Sequence, residues 1–302
     1  MEQFSRRGFL IKSSCAGTAM ILGRRAFAAS EGQIDLAVSR NSTPEQLVRS
    51  AIGELGGMER FVSAGQTVLV KPNIGWDRMP QQAANTNPQV VAEVVKMCFE
   101  AGAKRVRVLD RTCNQPRRCY KRSGIEKAAS EAGAEVRHIV DSRFEQVKIP
   151  EGKIIRSWPV YRDALNADVL INVPVAKTHS VSGVTLGFKN IMGVLGGDRG
   201  TLHAQFDTKI VDINTAIRPA LTVIDAYRIL MRNGPSGGNL ADVSEKKTII
   251  AGTDRVAVDA YAMQLFDLEP ERAGYLRNAV ERGLGQLDPD RVAKVEIDLS
   301  SG

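Results

Sequence analysis

The chemistry-bearing side chains of this 302-residue chain gather in one stretch. Asn172-Val173-Pro174-Val175-Ala176-Lys177-Thr178-His179-Ser180 runs into the glycine-punctuated segments Gly187-Phe188-Lys189-Asn190-Ile191-Met192-Gly193 and Gly196-Gly197-Asp198-Arg199-Gly200. Glycines let backbone N–H groups approach a ligand closely, and lysines favour negative charge. Together with Lys71, Lys177 and Lys189 suit a phosphate or a carboxylate. Neither G-x-x-x-x-G-K-[ST] nor G-x-G-x-x-G occurs, so no nucleotide fingerprint narrows that anion further.

There are three histidines, and each can be weighed singly. His138 lies in an expected strand and reads as structural or exposed. His179 and His203 sit among polar and glycine residues, where histidine serves as a proton carrier, as a metal ligand or as an ordinary hydrogen-bonding group. With Asp207, Asp110 or Asp225 they would make a mixed nitrogen and oxygen site for a divalent metal. Asp225 follows the apolar run Leu221-Thr222-Val223-Ile224, and an acid at the end of a strand is a common site placement. Asp254 reads as a helix cap.

These residues are expected to be carried by an α/β fold. Strands are expected at residues 67–70, 105–110, 135–139 and 168–173, alternating with helices that begin after Asn87-Pro88 and after Ser123 and stop at Gly102 and Gly133. That alternation predicts a mostly parallel sheet with helices on both faces, as one α/β domain over residues 29–302 or as two closely joined lobes. In such sheets ligands collect beyond the carboxyl ends of the strands, where Lys71, Asn73, Asp110 and the Cys113 loop fall. A hairpin around Gly152 is expected to interrupt the pattern. Further strands are expected near 221–224 and 248–251, and helices near 254–266 and 270–282.

The first 28 residues form a separate unit. Ser5-Arg6-Arg7-Gly8-Phe9-Leu10-Ile11-Lys12, a weakly apolar run to Gly23 and Ala26-Phe27-Ala28 have the order of a twin-arginine export signal with its cleavage site. The expected partner is the twin-arginine export machinery, and the expected location is periplasmic. The apolar run is far shorter than the ~20 residues a membrane-spanning helix needs, so no permanent membrane anchor is expected. Five basic residues and one acid lie in this segment, which accounts for four of the seven formal positive charges. What remains is a modest excess, which argues against a nucleic-acid partner. The local run Arg117-Arg118-Cys119-Tyr120-Lys121-Arg122 reads as a solvated face or an anion site.

Of the four cysteines, Cys98 falls in an apolar helical run and reads as core. Cys113 and Cys119 lie six apart in a polar loop, and export makes a local disulfide their expected state, with a redox pair or a metal site as the alternative.

Six segments occur in an order that resembles the domain of unknown function 362 family: Lys71-Pro72-Asn73, Asn85-Thr86-Asn87-Pro88, the Asn172 to His179 segment, the Gly187 to Gly193 segment, Asn233-Gly234-Pro235, and Asp254-Arg255-Val256-Ala257-Val258-Asp259-Ala260. The chain is similar to the exported, stand-alone branch of that family. Many relatives carry a ferredoxin-like domain with two cysteine-rich motifs. This chain has neither motif, and no iron–sulfur cluster is expected on it. The resemblance maps shared polar positions onto Lys71, Asn73, Lys177, His179, Lys189, Asn190 and Asp225. The expected function is an enzyme acting on a small anionic substrate, metal-dependent or redox-linked. In that reading His179, Lys177 and Asp225 are catalytic, and Lys71, Asn73, Lys189, Asn190 and His203 bind the ligand. The alternative is a non-catalytic protein that binds a ligand, a metal or a maturation partner.

Overall fold

Runs of β-branched and aliphatic residues that end in Lys, Asn or Asp form the centre of the molecule. In the computed structural model, which describes residues 33–300, they become buried strands with polar residues at their carboxyl ends. Residues 1–28, where an export signal is expected, lie outside the described residues. The strands are β1 (Leu36–Arg40), β2 (Thr67–Pro72), β3 (Arg105–Val108), β4 (Glu135–Val136), β5 (Phe144–Lys148), β6 (Ser157–Tyr161), β7 (Val169–Val173), β8 (Val175–His179), β9 (Gly183–Thr185), β10 (Leu221–Leu230), β11 (Val243–Gly252) and β12 (Lys294–Asp298). The helices are α1 (Pro44–Glu54), α2 (Pro88–Glu100), α3 (Pro116–Arg122), α4 (Ile125–Glu131), α5 (Arg162–Leu165), α6 (Gly187–Asn190), α7 (Phe206–Ala216), α8 (Arg255–Gln264) and α9 (Gly274–Glu281).

The main sheet runs β12-β1-β11-β10-β7-β2-β3-β4, with β8 joined to β10 and β9 to β8. Pairings are parallel for β1 with β12, β2 with β3 and β7, β3 with β4, and β10 with β7 and β8. They are antiparallel for β1 with β11, β10 with β11 and β8 with β9. The expected α/β class with a mostly parallel sheet is therefore observed. The hairpin expected around Gly152 is β5 and β6, a separate two-stranded sheet.

Alternation along the strands sends successive side chains to opposite faces. Ala37, Val223, Ile249 and Ala251 join the core under α1, α2 and α4, while Val38, Ile224 and Ile250 join the core under α7, α8 and α9. Helix α2 begins as expected: Asn87 caps it by accepting from the Gln89 N–H, and Pro88 takes the first position, where no N–H partner is needed.

Several elements differ from expectation. Residues 175–179 form a strand rather than a loop, because the chain passes Pro174 and pairs at once with β10, Val175 opposite Asp225. The sheet forks there: β7 pairs with β2 as far as Val173 opposite Pro72, and beyond that point the chain leaves β2, following β10 on one side and pairing with β9 on the other. The polar loop around Cys119 contains α3, capped by Gln115 with Pro116 behind it. Strands β10 and β11 are each ten residues long, so Asp225 lies in mid-strand.

Candidate functional site

Going from β2 to β3 and β4 the chain moves one way across the sheet, whereas β7 and β10 continue the other way. The change of direction falls between β2 and β7, the place where α/β sheets open a crevice beyond their strand ends. A cavity of about 440 Å³ lies there. Its lining includes Asn73, Asp110, Cys113, Lys177, His179, Lys189, Asn190 and His203, residues contributed by β2, β3, β8 and α6 or by the segments that follow them.

Lys71 sits directly behind this lining and is 0% exposed. Its Nζ donates to Asp110 Oδ1 at 2.7 Å, to the Pro72 carbonyl at 2.6 Å and to Asn190 Oδ1 at 3.3 Å. The second oxygen of Asp110 accepts the Ile74 N–H at 2.6 Å. Asn190 returns two bonds, to the Lys71 carbonyl at 3.1 Å and to Asn172 Oδ1 at 2.9 Å. Asn73 links the two lysines of the sheet: it donates to Asn190 Oδ1 at 3.1 Å and accepts from Lys177 Nζ at 3.0 Å. Lys177 also donates to the Ala84 carbonyl at 2.5 Å, which leaves one of its three N–H groups for the cavity.

The histidines have assigned proton positions. His179 Nδ1 accepts from the backbone N–H groups of Val181 at 3.1 Å and Ser182 at 3.3 Å, so the neutral ring carries its proton on Nε2. His203 Nδ1 faces the Gly200 carbonyl at 3.1 Å, so its proton sits there and Nε2 accepts from Lys189 Nζ at 2.9 Å. The two rings stack with centroids 5.4 Å apart.

Burial dominates the electrostatics. It pushes the Lys177 ammonium down to about 7, with Lys189 and Lys71 acting in the same direction and Asp110 opposing. It pushes Lys189 down to about 8, with Arg199 adding to the effect. His179 is pushed down to about 3, first by burial and then by Lys189, His203 and Lys177. A histidine this hard to protonate is a weak base at neutral pH. His179 is therefore an N–H donor, and the cavity groups whose charge changes nearest neutrality are Lys177 and Lys189.

The expected site residues thus divide. Asn73, Lys177, His179, Lys189, Asn190 and His203 line one cavity, and Lys71 supports it. Asp225 does not belong to it. Its carboxylate is 2% exposed and accepts the N–H groups of Asn87 at 2.7 Å and Tyr227 at 3.1 Å, so it joins β10 to the start of α2. The expected Cys113–Cys119 disulfide is not formed: Cys119 points into the core from α3, with Sγ 3.7 Å from the Gly75 carbonyl, while Cys113 lines the cavity.

Arg111, Thr185 and Arg199 also line the cavity and were not foreseen. Arg199 donates to the carbonyls of Arg111 at 2.9 Å, Met192 at 3.3 Å and Thr112 at 3.2 Å, joining the two loops that form the rim. An arginine framed by glycines, Asp198-Arg199-Gly200, was the available signal. The basic run on α3 borders a separate open depression, and Arg118 and Arg122 both reach Asp77 there, so it is a solvated face.

Among the described residues no group of three or more His, Cys, Asp or Glu side chains is arranged to hold a metal ion. The donors of the cavity are mainly cationic or carry protons toward it, which does not fit a divalent cation. Among the described residues no helix is long and apolar enough to cross a membrane.

The chain is 27% identical over 231 residues to the thylakoid-associated protein sll1697 of Synechocystis sp., an alignment covering 74% of this chain and 70% of that protein. Among solved structures it is similar to the lactate racemase apoprotein of Thermoanaerobacterium thermosaccharolyticum, with a TM-score of 0.44 and 10% identity. That likeness covers 79% of this chain, which spans 58% of the racemase chain. Residues 68–264, which contain β2 through α8 and all the cavity residues named above, match the family described as domain of unknown function (DUF362), and the chain belongs to that family.

Proposed function

We propose that the protein is an enzyme acting on a small anionic molecule held in the cavity between β2 and β8. The observation that supports this most is the concentration of Lys177, Lys189, Arg111 and Arg199 around one cavity. Lys177 and Lys189 bind the anion. Lys177, with its ammonium lowered to about 7, moves the proton, because a carrier works best when it titrates near the working pH. His179 holds Nε2–H toward the substrate and stabilises negative charge that develops there, the role a neutral imidazole can fill in a cationic pocket. Residues 1–28 are taken as the export signal, which would place this reaction in the periplasm.

Sulfate is a suitable first probe because its charge is constant across the relevant pH range. Free Lys177 and Lys189 have lowered ammonium pKa values, so the unliganded protein loses stability as pH falls from above the ordinary lysine range through about 8 and about 7. Sulfate binding has the opposite trend, since each lysine that gains a proton attracts the anion. Calorimetric affinity for sulfate is expected to tighten about 10-fold or more between about pH 9 and about pH 6.5. An affinity independent of pH across that window would remove the lysines from the role.

A screen of small carboxylates and phosphates identifies turnover. With a substrate in hand, His179→Ala is expected to lower kcat by about 10²–10³ while leaving the melting temperature in place, because the ring is lost from a cavity wall and not from the core. Undiminished turnover in that variant would remove His179 from the catalytic role, whereas sulfate binding with no turnover of any compound in the screen would leave the protein as an anion carrier.

A further inference from the structure

Cys113 lines the cavity with a thiol that the proposed reaction does not use. Its backbone is held in place: its N–H donates to the Gly75 carbonyl at 2.8 Å, and the two preceding carbonyls, Arg111 and Thr112, accept from Arg199. The charged groups that act on its sulfur include Lys71, Lys177, Lys189 and Arg199, all cationic. The other described cysteines, Cys98 and Cys119, are buried, whereas Cys113 is exposed.

A second, independent feature points to a ligand in the same space. Thr185 lines the cavity, is 4% exposed, and its Oγ1 has no hydrogen-bond partner among the described residues. A buried hydroxyl without a partner is destabilising, and an oxygen of a bound molecule relieves it. Thr185 Oγ1–H and His179 Nε2–H are neutral donors suited to a carbonyl oxygen, whereas the lysines suit a carboxylate or phosphate.

We propose that Cys113 is the nucleophile of this cavity, and that its substrate is a small carbonyl compound bearing a carboxylate or phosphate, with the sulfur adding to the carbonyl carbon. In that addition the S–H bond breaks and the S–C bond forms. The π pair of the C=O bond moves to oxygen, and the thiol proton ends on that oxygen, so no further reactant is needed. This rests on the anion reading of the cavity, which it deepens by naming the group that forms the bond.

The test compares iodoacetate, an anionic alkylating agent, with neutral iodoacetamide on the full chain carrying Cys15→Ser, with the modified residue identified by peptide mass. Both reagents form an S–CH2 bond and release iodide with the bonding pair, and the thiol proton passes to buffer. They differ chiefly in charge. The rate ratio of iodoacetate to iodoacetamide at Cys113 is expected to exceed that of free cysteine by about 10-fold or more, as a cleft of one charge sign concentrates its counter-ion. Lys177→Met and Lys189→Met should each reduce the ratio, sulfate and glyoxylate should protect, and Cys113→Ser should abolish labelling at an unchanged melting temperature. A ratio equal to that of free cysteine overturns the proposal, as does labelling that persists in Cys113→Ser. Should either lysine variant fail to fold, sulfate protection of the unsubstituted cavity decides. If sulfate binds with the expected pH dependence and the ratio is still that of free cysteine, the nucleophile assignment falls alone. If sulfate neither binds nor protects, the anion reading falls with it.

Discussion

Asp110→Ala is expected to destabilise the protein by about 3–5 kcal/mol, the range for removing one partner of a buried ion pair. Lys71 is fully buried, and Asp110 is the only carboxylate among its hydrogen-bond partners. The Pro72 carbonyl and Asn190 Oδ1 that remain are neutral. Burial already lowers the Lys71 ammonium below the ordinary lysine range, with Asp110 opposing that shift. Without Asp110 the amine is driven further toward its neutral form, so the deficit should be largest at low pH and should shrink as pH rises toward the unfolded lysine range. Urea unfolding at neutral and alkaline pH measures both effects. Adding Lys71→Met to Asp110→Ala should recover part of the loss, since the charge is gone, although the Ile74 N–H still lacks its acceptor. A cost below about 1 kcal/mol would show that the pair does not hold the strand ends together.

Gly193→Ala is expected to be almost as damaging, for a steric reason. A Cβ at residue 193 would overlap Asp110 Oδ1 and stand 2.5 Å from Lys71 Nζ and 2.6 Å from Lys71 Cε. Both groups are side-chain ends that would normally swing aside. Here Asp110 is fixed by the Ile74 N–H and Lys71 by the Pro72 carbonyl, so the backbone of residues 191–194 must move instead. Overpacking of this kind costs about 3 kcal/mol. The displacement reaches the cavity rim, because the Gly193 carbonyl accepts the Arg111 N–H at 2.9 Å and the Met192 carbonyl accepts from Arg199. Sulfate affinity should therefore fall about 10-fold or more along with stability. Gly53→Ala is the control: nothing lies within 4 Å of the added carbon and the residue is in α1, so a gain of about 0.5 kcal/mol is expected. Equal thermal stability of Gly193→Ala and the unsubstituted chain would contradict the crowding argument.

Much of the frame could be read from local patterns, and the misses have physical causes. Asn87-Pro88 marked the start of α2 because capping is a property of a few adjacent residues. The alternation of strand and helix from residue 67 to residue 173 announced the parallel sheet. Lys71, Asn73, Lys177 and His179 fell together because strand ends in such a sheet face one crevice. Asp225 failed the same logic because β10 continues to Leu230, and only its partner β11 could reveal that length. The expected strand stops at residue 173 because Pro174 interrupts the apolar run, while β10 restores the pairing immediately afterwards. Arg199 carried only its flanking glycines as a signal and Thr185 carried none, for a different reason. Their roles depend on which loops meet, a contact between distant parts of the chain that no local pattern records.

The fork in the sheet at Pro174 divides the cavity into two kinds of wall. On one side Lys71 and Lys177 stand on strands whose spacing is set by backbone pairing, Lys71 opposite Asn172 and Lys177 opposite Leu230. Their separation is a dimension of the sheet itself. On the other side Gly197, Asp198, Gly200 and His203 stand on a connecting segment tied down through Arg199 and His203. A ligand would meet fixed charge along one edge and replaceable shape along the other. Altering what the cavity accepts is therefore a matter of exchanging Gly197, Asp198 and Gly200, with Arg199 and His203 kept to hold the segment and the lysine wall kept as the constant that any new ligand must still match.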